Sequence, residues 1–229
     1  MRIRIGGTHF PVRTLGPGRR LGVWFQGCPL ACPGCMSRHT WAADGGREAT
    51  LAELLERWRE ALEQGAEGLT VSGGEPLEQA PALARFLAGA DRLRTAADAG
   101  RGAGPRPDFL VYTGYDQHEW DPPRLRALRY ADAVIAGRFE IAEPAGPVWR
   151  GSANQRLLPR TPLGRARYAP HLDRPATGPA LQVVVEADGA SGGAPSARLL
   201  GVPARGELAF YERWLGERGL RLRDRSWRP

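Results

Sequence analysis

LGVWFQGCPLACPGC, residues 21–35, decides how the rest of the chain is read. Leu21 to Phe25 are apolar or small, with β-prone Val, Trp and Phe, and predict a short buried strand. The strand runs straight into a turn rich in Gly and Pro that carries Cys28, Cys32 and Cys35. These are the only cysteines among 229 residues, spaced C-x3-C-x2-C. Three thiols cannot all pair within one chain, so a disulfide framework is a poor account of them. Thiolates are soft ligands for zinc, copper(I) and iron–sulfur clusters. Three readings stand side by side. The cysteines are ordinary buried thiols. Or they join His39, four positions beyond Cys35, in a Cys3His zinc site that makes the chain a non-catalytic interaction module. Or they hold a 4Fe–4S cluster with three protein ligands. Clusters that only carry electrons usually have four cysteines. Three leave one iron open, which makes the missing cysteine the functional feature.

The composition is that of an ordinary soluble globular chain: 42% hydrophobic and 25% charged. No apolar run is long enough to span a membrane. MRIRIGGTHF at the start lacks the apolar stretch of a signal peptide, so a cytoplasmic location with reduced thiols is expected. The net charge is +7, yet all 32 basic residues are Arg and Asn occurs once, as Asn154. That bias suits a GC-rich coding sequence, and the arginines are scattered instead of blocked. Nucleic acid is therefore not an expected partner; a basic docking face for an acidic partner protein is the other reading of the charge.

Outward from the cysteines, strands and helices alternate. Residues 2–5 read as a strand. Thr50 with Glu53 forms a capping-box pattern ahead of Leu51, Leu54, Leu55, Trp58 and Leu62 at helical spacing. Strand 69–71 ends in Ser72-Gly73-Gly74-Glu75-Pro76, and a helix is expected over about 77–89, with Pro81 tolerable only in its first turn. Residues 90–107, rich in Ala, Gly, Arg and Pro, read as a mobile insertion. Strand 109–112, a helix from Asp121 to about Tyr130 and strand 133–135 follow. The pattern argues for parallel βαβ units, with Gly73-Gly74, Gly114 and Gly137 marking one binding face at the strands' carboxyl ends. Residues 159–180 read as a linker. Strand 181–185, a loop over 187–196, a returning strand over 198–202 and a helix over 206–219 read as an appended hairpin and helix.

C-x3-C-x2-C together with Gly73-Gly74-Glu75-Pro76 resembles the radical S-adenosylmethionine superfamily. More narrowly, GCPLACPGC followed by Thr40-Trp41, VYTGY at 111–115, AGRF at 136–139 and WRGSANQR at 149–156 resemble the activating enzymes of anaerobic (class III) ribonucleotide reductase, a glycyl-radical-enzyme activase family. The resemblance covers about residues 10–158. Leu30 stands where that family often has His, Ser37 where it often has Asn, and Ala136 where an acidic residue is common.

The resemblance implies an α/β fold, a partial open (β/α) barrel with a parallel sheet, as a core over 1–158, followed by the linker at 159–180 and an extension over 181–229. It implies that Cys28, Cys32 and Cys35 hold a 4Fe–4S cluster whose fourth iron takes S-adenosyl-L-methionine, cleaved reductively to a 5′-deoxyadenosyl radical. It places Gly73, Gly74 and Glu75 on the cosubstrate, Glu75 toward its ammonium, and Thr113 and Gly114 toward its carboxylate or ribose. Arg150, Ser152 and Asn154 become candidates for cosubstrate or partner contacts. The implied partners are a glycyl-radical enzyme and a flavodoxin- or ferredoxin-type electron donor. A related radical enzyme acting on another peptide or small molecule is the alternative. No catalytic side chain is expected beyond the cluster, and no cysteines remain for a second one. Residues 159–229 exceed the compact family form and are expected to touch the partner or substrate.

Overall fold

The computed structural model describes residues 1–99, 105–177, 180–186, 196–204 and 206–219. In chain order the elements begin with β1 (Arg2–Val12), β2 (Arg20–Phe25), β3 (Arg47–Thr50), α1 (Leu51–Glu63), β4 (Gly68–Gly73) and α2 (Ala80–Ala99). They continue with β5 (Asp108–Thr113), α3 (Pro122–Ala127), β6 (Ala133–Ala136), β7 (Arg156–Pro159) and α4 (Pro162–Tyr168), and end with β8 (Leu181–Glu186), β9 (Ser196–Gly201) and α5 (Glu207–Gly216).

Seven strands form one open sheet in the order β3-β1-β2-β4-β5-β6-β7. The centre, β2-β4-β5-β6, is parallel, as the alternation of strands and helices predicts. The flanks are antiparallel: β1 runs against β2 and β3, and β7 against β6. The expected wholly parallel sheet is thus a mixed one. Its first strand reaches Val12 instead of residue 5, and β3 and β7 were not foreseen. Both have four residues, too short for a period to declare itself.

Side chains alternate across the sheet. Val23, Phe25, Leu69, Val71, Phe109 and Val111 point to one face and are fully buried under α1 and α2. Thr50 and Glu53 exchange the two bonds of a capping box, as predicted. Leu54, Trp58 and Leu62 form the buried stripe of α1, and the indole of Trp58 donates to Ala90 O at 3.1 Å. Pro81 does lie in the first turn of α2. That helix, however, continues through Ala99, so the insertion expected from residue 90 begins as ordered helix. Ala90 is buried and Arg94 bridges Asp91, Asp132 and the carbonyl of Pro107. Ala, Leu and Arg are strong helix formers, and the Gly and Pro farther along hid them. Residues 100–104 of that stretch lie outside the described residues, as do 187–195 of the 187–196 loop.

The other face is covered from the C-terminal side. The stretch read as a linker carries α4, capped by Thr161, which accepts from Gly164 N at 3.0 Å and donates to Asp132 at 2.6 Å. Tyr168 packs with Leu110, Ala133, Ile135 and Leu157, and its hydroxyl donates to Asp108. Asp108 is also gripped by the fully buried Arg20, at 3.0 and 2.9 Å. The hairpin of β8 and β9 is present as expected. Leu200 packs beside Val12 and Leu15, while Gln182 bonds Pro11 O at 2.8 Å and Arg13 N at 3.1 Å.

Candidate metal and cofactor site

The cysteine loop leaves β2 at the carboxyl edge of the parallel strands, where β4, β5 and β6 deliver Gly73-Gly74, Gly114 and Gly137. Backbone bonds stitch these segments together. Gly27 N donates to Thr40 O at 2.8 Å and Cys28 N to Trp41 O at 3.0 Å, so Thr40-Trp41 closes the base of the loop. Glu75 N donates to Gly27 O and Gly74 N to Phe25 O, both at 2.8 Å. The Gly-Gly-Glu turn therefore lies directly against the start of the cysteine loop. The glycines are steric requirements: a Cβ at Gly73, whose φ is +108°, would lie 2.4 Å from Phe25 O, and one at Gly74 would lie 2.4 Å from Gly27 O.

Cys28, Cys32 and Cys35 are free and half-buried. Burial pushes the Cys28 and Cys32 thiols up. The amides of Leu30 and Ala31 oppose this at Cys28. At Cys32 the opposing groups are the amide of Phe139 and the charge of Arg138. Ser37 N donates to Cys35 Sγ at 3.4 Å. Three free thiols on one loop, with backbone amides aimed at their sulfurs, suit an iron–sulfur cluster. Among the described residues no three His, Cys, Asp or Glu side chains converge on a single-ion site. His39 has its pKa lowered by burial and by the neighbouring Arg198 charge.

Glu75 is buried and already holds protein donors. Oε1 accepts from Leu77 N and Thr113 Oγ1, both at 2.9 Å, and Oε2 accepts from Gly114 N at 2.7 Å. Burial raises its carboxyl to about 7 against the pull of those three bonds, with Glu78 adding a smaller push upward. The structure thus joins Glu75, Thr113 and Gly114 in one unit. Each carboxylate oxygen can accept more than one hydrogen bond, so Oε2 keeps capacity for a further donor. Leu30, one of the departures from the family pattern, packs on Gly114, where a Cβ would lie 2.4 Å from its Cδ1.

A cavity of about 200 Å³ reaches Cys35. Trp24, Ser72 and Tyr112 from three adjacent parallel strands form part of its lining, with Trp149 and Gln155. Sequence reasoning missed these. The alternation that puts Val23, Val71 and Val111 under the helices assigns Trp24, Ser72 and Tyr112 to the opposite face, and that signal was available. Within WRGSANQR the emphasis also shifts. Arg150 donates to the carbonyls of His171 and Leu172, Ser152 accepts from Glu140 N, and Asn154 donates to Arg138 O. These three hold the loop; Trp149, Gly151 and Gln155 line the cavity, and Gln155 also accepts from Gly151 N at 2.8 Å and donates to Gly137 O at 2.9 Å.

Residues 14–158 match the family described as a 4Fe-4S single cluster domain. The chain is thus, by class, a single-cluster iron–sulfur protein. It is 32% identical over 146 residues to the anaerobic ribonucleoside-triphosphate reductase-activating protein of Enterobacteria phage T4, covering 64% of this chain and 87% of that protein. The protein of the same name from Vibrio cholerae is 33% identical over 153 residues, 64% of this chain and 92% of the relative. That from Escherichia coli is 27% identical over 155 residues, 64% and 93% respectively. The chain belongs to the family of anaerobic ribonucleoside-triphosphate reductase-activating proteins.

Proposed function

We propose that this protein is a radical-generating activating enzyme for a glycyl-radical ribonucleotide reductase. The observation that carries the reading is the Gly27–Glu75 and Gly74–Phe25 stitching of three free cysteines to the Gly-Gly-Glu turn at the edge of a parallel sheet. Cys28, Cys32 and Cys35 would hold a 4Fe–4S cluster, and the core over 1–158 would curve as a partial barrel around it. When bound, the cluster supplies the electron that cleaves S-adenosyl-L-methionine to methionine and a 5′-deoxyadenosyl radical. The remaining tasks belong to the chain. Gly73 and Gly74 let backbone approach closely. The spare capacity of Glu75 Oε2 suits an ammonium donor, and a cation there would pull its raised pKa down. Thr113 and Gly114 hold that carboxylate in place. Trp24, Tyr112 and Trp149 wall the cavity against water. The protein would work in the cytoplasm with a flavodoxin- or ferredoxin-type donor. Among the described residues no helix is long and apolar enough to cross a membrane.

The test is anaerobic reconstitution with iron and sulfide, then dithionite and S-adenosyl-L-methionine, with 5′-deoxyadenosine quantified by chromatography. Wild type is expected to form it and Cys32→Ala to form none. A protein prepared anaerobically that carries zinc and no iron would sink the reading.

A further inference from the structure

The family match ends at residue 158, yet the cavity at Cys35 is not closed by that region alone. Gly201, Val202 and Pro203, from the end of β9 and the turn after it, form part of its lining. They are held there by one bond from the core and one from the segment that leads into the hairpin. Thr14 Oγ1 donates to Leu200 O at 2.8 Å, and Val202 N donates to Ala180 O at 3.2 Å. Gly201 has a φ of +139°, and a Cβ there would lie 2.0 Å from Ala180 O, so the turn into Val202 requires glycine.

A second hollow, a groove of about 340 Å³, adjoins the first. Gly34, Phe139, Gly151 and Pro203 line both. The wall of the groove beyond Pro203 comes from Ala204, Leu208 and Ala209 of the extension, and the facing wall includes Ile141, a large apolar side chain that is 53% exposed. The groove is thus mostly apolar, with Glu143 and Glu212 also in its lining; it adjoins the cavity at Cys35 and is bounded on one side by residues outside the matched family region.

We infer that the C-terminal extension forms one wall of the route by which a polypeptide segment of the substrate protein reaches the cysteine loop, with Pro203 at the junction of groove and cavity. The inference rests on the activating-enzyme reading above. The lining that the groove shares with the cavity at Cys35 is what assigns it to the substrate. Val202 and Pro203 are then specificity-determining residues, and the extension selects the partner that the core activates.

Two full-chain variants, Ala209→Trp and Pro203→Trp, narrow the route; Phe210→Ala is the control, because Phe210 is 54% exposed and lines neither hollow. In the cluster-free, reduced protein, alkylation of each thiol by a fluorescein-sized maleimide is followed by mass spectrometry. Both Trp variants are expected to slow Cys35 about tenfold, with Cys28 and the control within about twofold of wild type. In the reconstituted protein, glycyl radical formed on an anaerobic ribonucleoside-triphosphate reductase is read by electron paramagnetic resonance. It is expected to fall about tenfold while partner-free 5′-deoxyadenosine stays within about twofold. Unchanged Cys35 labelling, or slowed labelling with an unchanged radical yield, overturns the inference. A wild type that makes no 5′-deoxyadenosine overturns the functional reading instead, and the labelling still decides whether the extension walls the route.

Discussion

The two faces of the sheet are made by the same strands and differ in almost everything else. Under α1 and α2 the strands present Val23, Phe25, Leu69, Val71, Phe109 and Val111, an aliphatic and aromatic surface with no polar side chain among them. The opposite face presents Arg20, Trp24, Thr70, Ser72, Asp108 and Tyr112, and it is covered by α4 and the hairpin instead of by long helices. The helical face is held by area removed from water, which is indifferent to orientation. The other face adds directional bonds around Arg20 and Asp108 to smaller apolar clusters at Tyr168 and Leu200, and keeps a cavity beside Cys35. One face stabilises the fold, and the other leaves space for chemistry.

The largest effect is expected where the two faces meet at the strand ends. Gly74→Ala would drive a Cβ to 2.4 Å from Gly27 O and 2.8 Å from Thr40 O, both backbone atoms that cannot turn away. Iron loading after reconstitution should fall about tenfold or more, because ligand placement is lost. Unchanged iron content would show that the stitching does not position the cysteines.

On the polar face, Asp108→Asn strips the buried Arg20 of its counter-charge. A loss of about 3–5 kcal/mol in urea unfolding is expected. The contrast between the faces would blur if this change cost no more than an exposed ion pair.

Glu75 gives a pH test. Its carboxyl is raised from 4.5 to about 7 in the folded state, so between those values the folded chain retains a proton the unfolded chain has released. The associated stability is complete below the unfolded value and is lost as pH rises through about 7. The span is on the order of 3 kcal/mol. Urea midpoints of the cluster-free protein should fall between about pH 5 and about pH 8, and Glu75→Gln should flatten that slope.

The smallest of the four effects is expected at the hairpin. Leu200→Ala should cost about 2 kcal/mol. Its loss should appear first as faster hydrogen exchange in β8 and β9, with α1 and α2 unchanged, because the hairpin packs on one edge of the core. Uniform loosening of both faces would mean that the extension is integral to the core.

The helical face was legible in the sequence. The Thr50–Glu53 box, the Leu54–Trp58–Leu62 stripe and the four parallel strands announce themselves through period and capping, which are local properties. So do the cysteine spacing and the Gly-Gly-Glu-Pro turn, since a ligand loop and a steric glycine pair are written in consecutive residues. Less legible were the second half of α2, whose helix formers were hidden by the Gly and Pro that follow them, and α4, whose seven residues lie within a proline-rich stretch. The loop 149–156 misled in detail. Its polar side chains drew attention, yet Arg150, Ser152, Asn154 and Gln155 all bond the chain itself, and Trp149 and Gln155 reach the cavity.

By itself, then, the sequence determined the parallel βαβ centre, the cysteine loop and the turn that faces it, because each depends on neighbours within a few positions along the chain. The tertiary structure decided that Glu75 is held by Thr113 and Gly114, that Arg20 and Asp108 meet 88 positions apart, and that Val202 and Pro203 come to stand beside Cys35. Those encounters depend on strand order and on which face the returning chain covers, and neither is a local property of the residues involved.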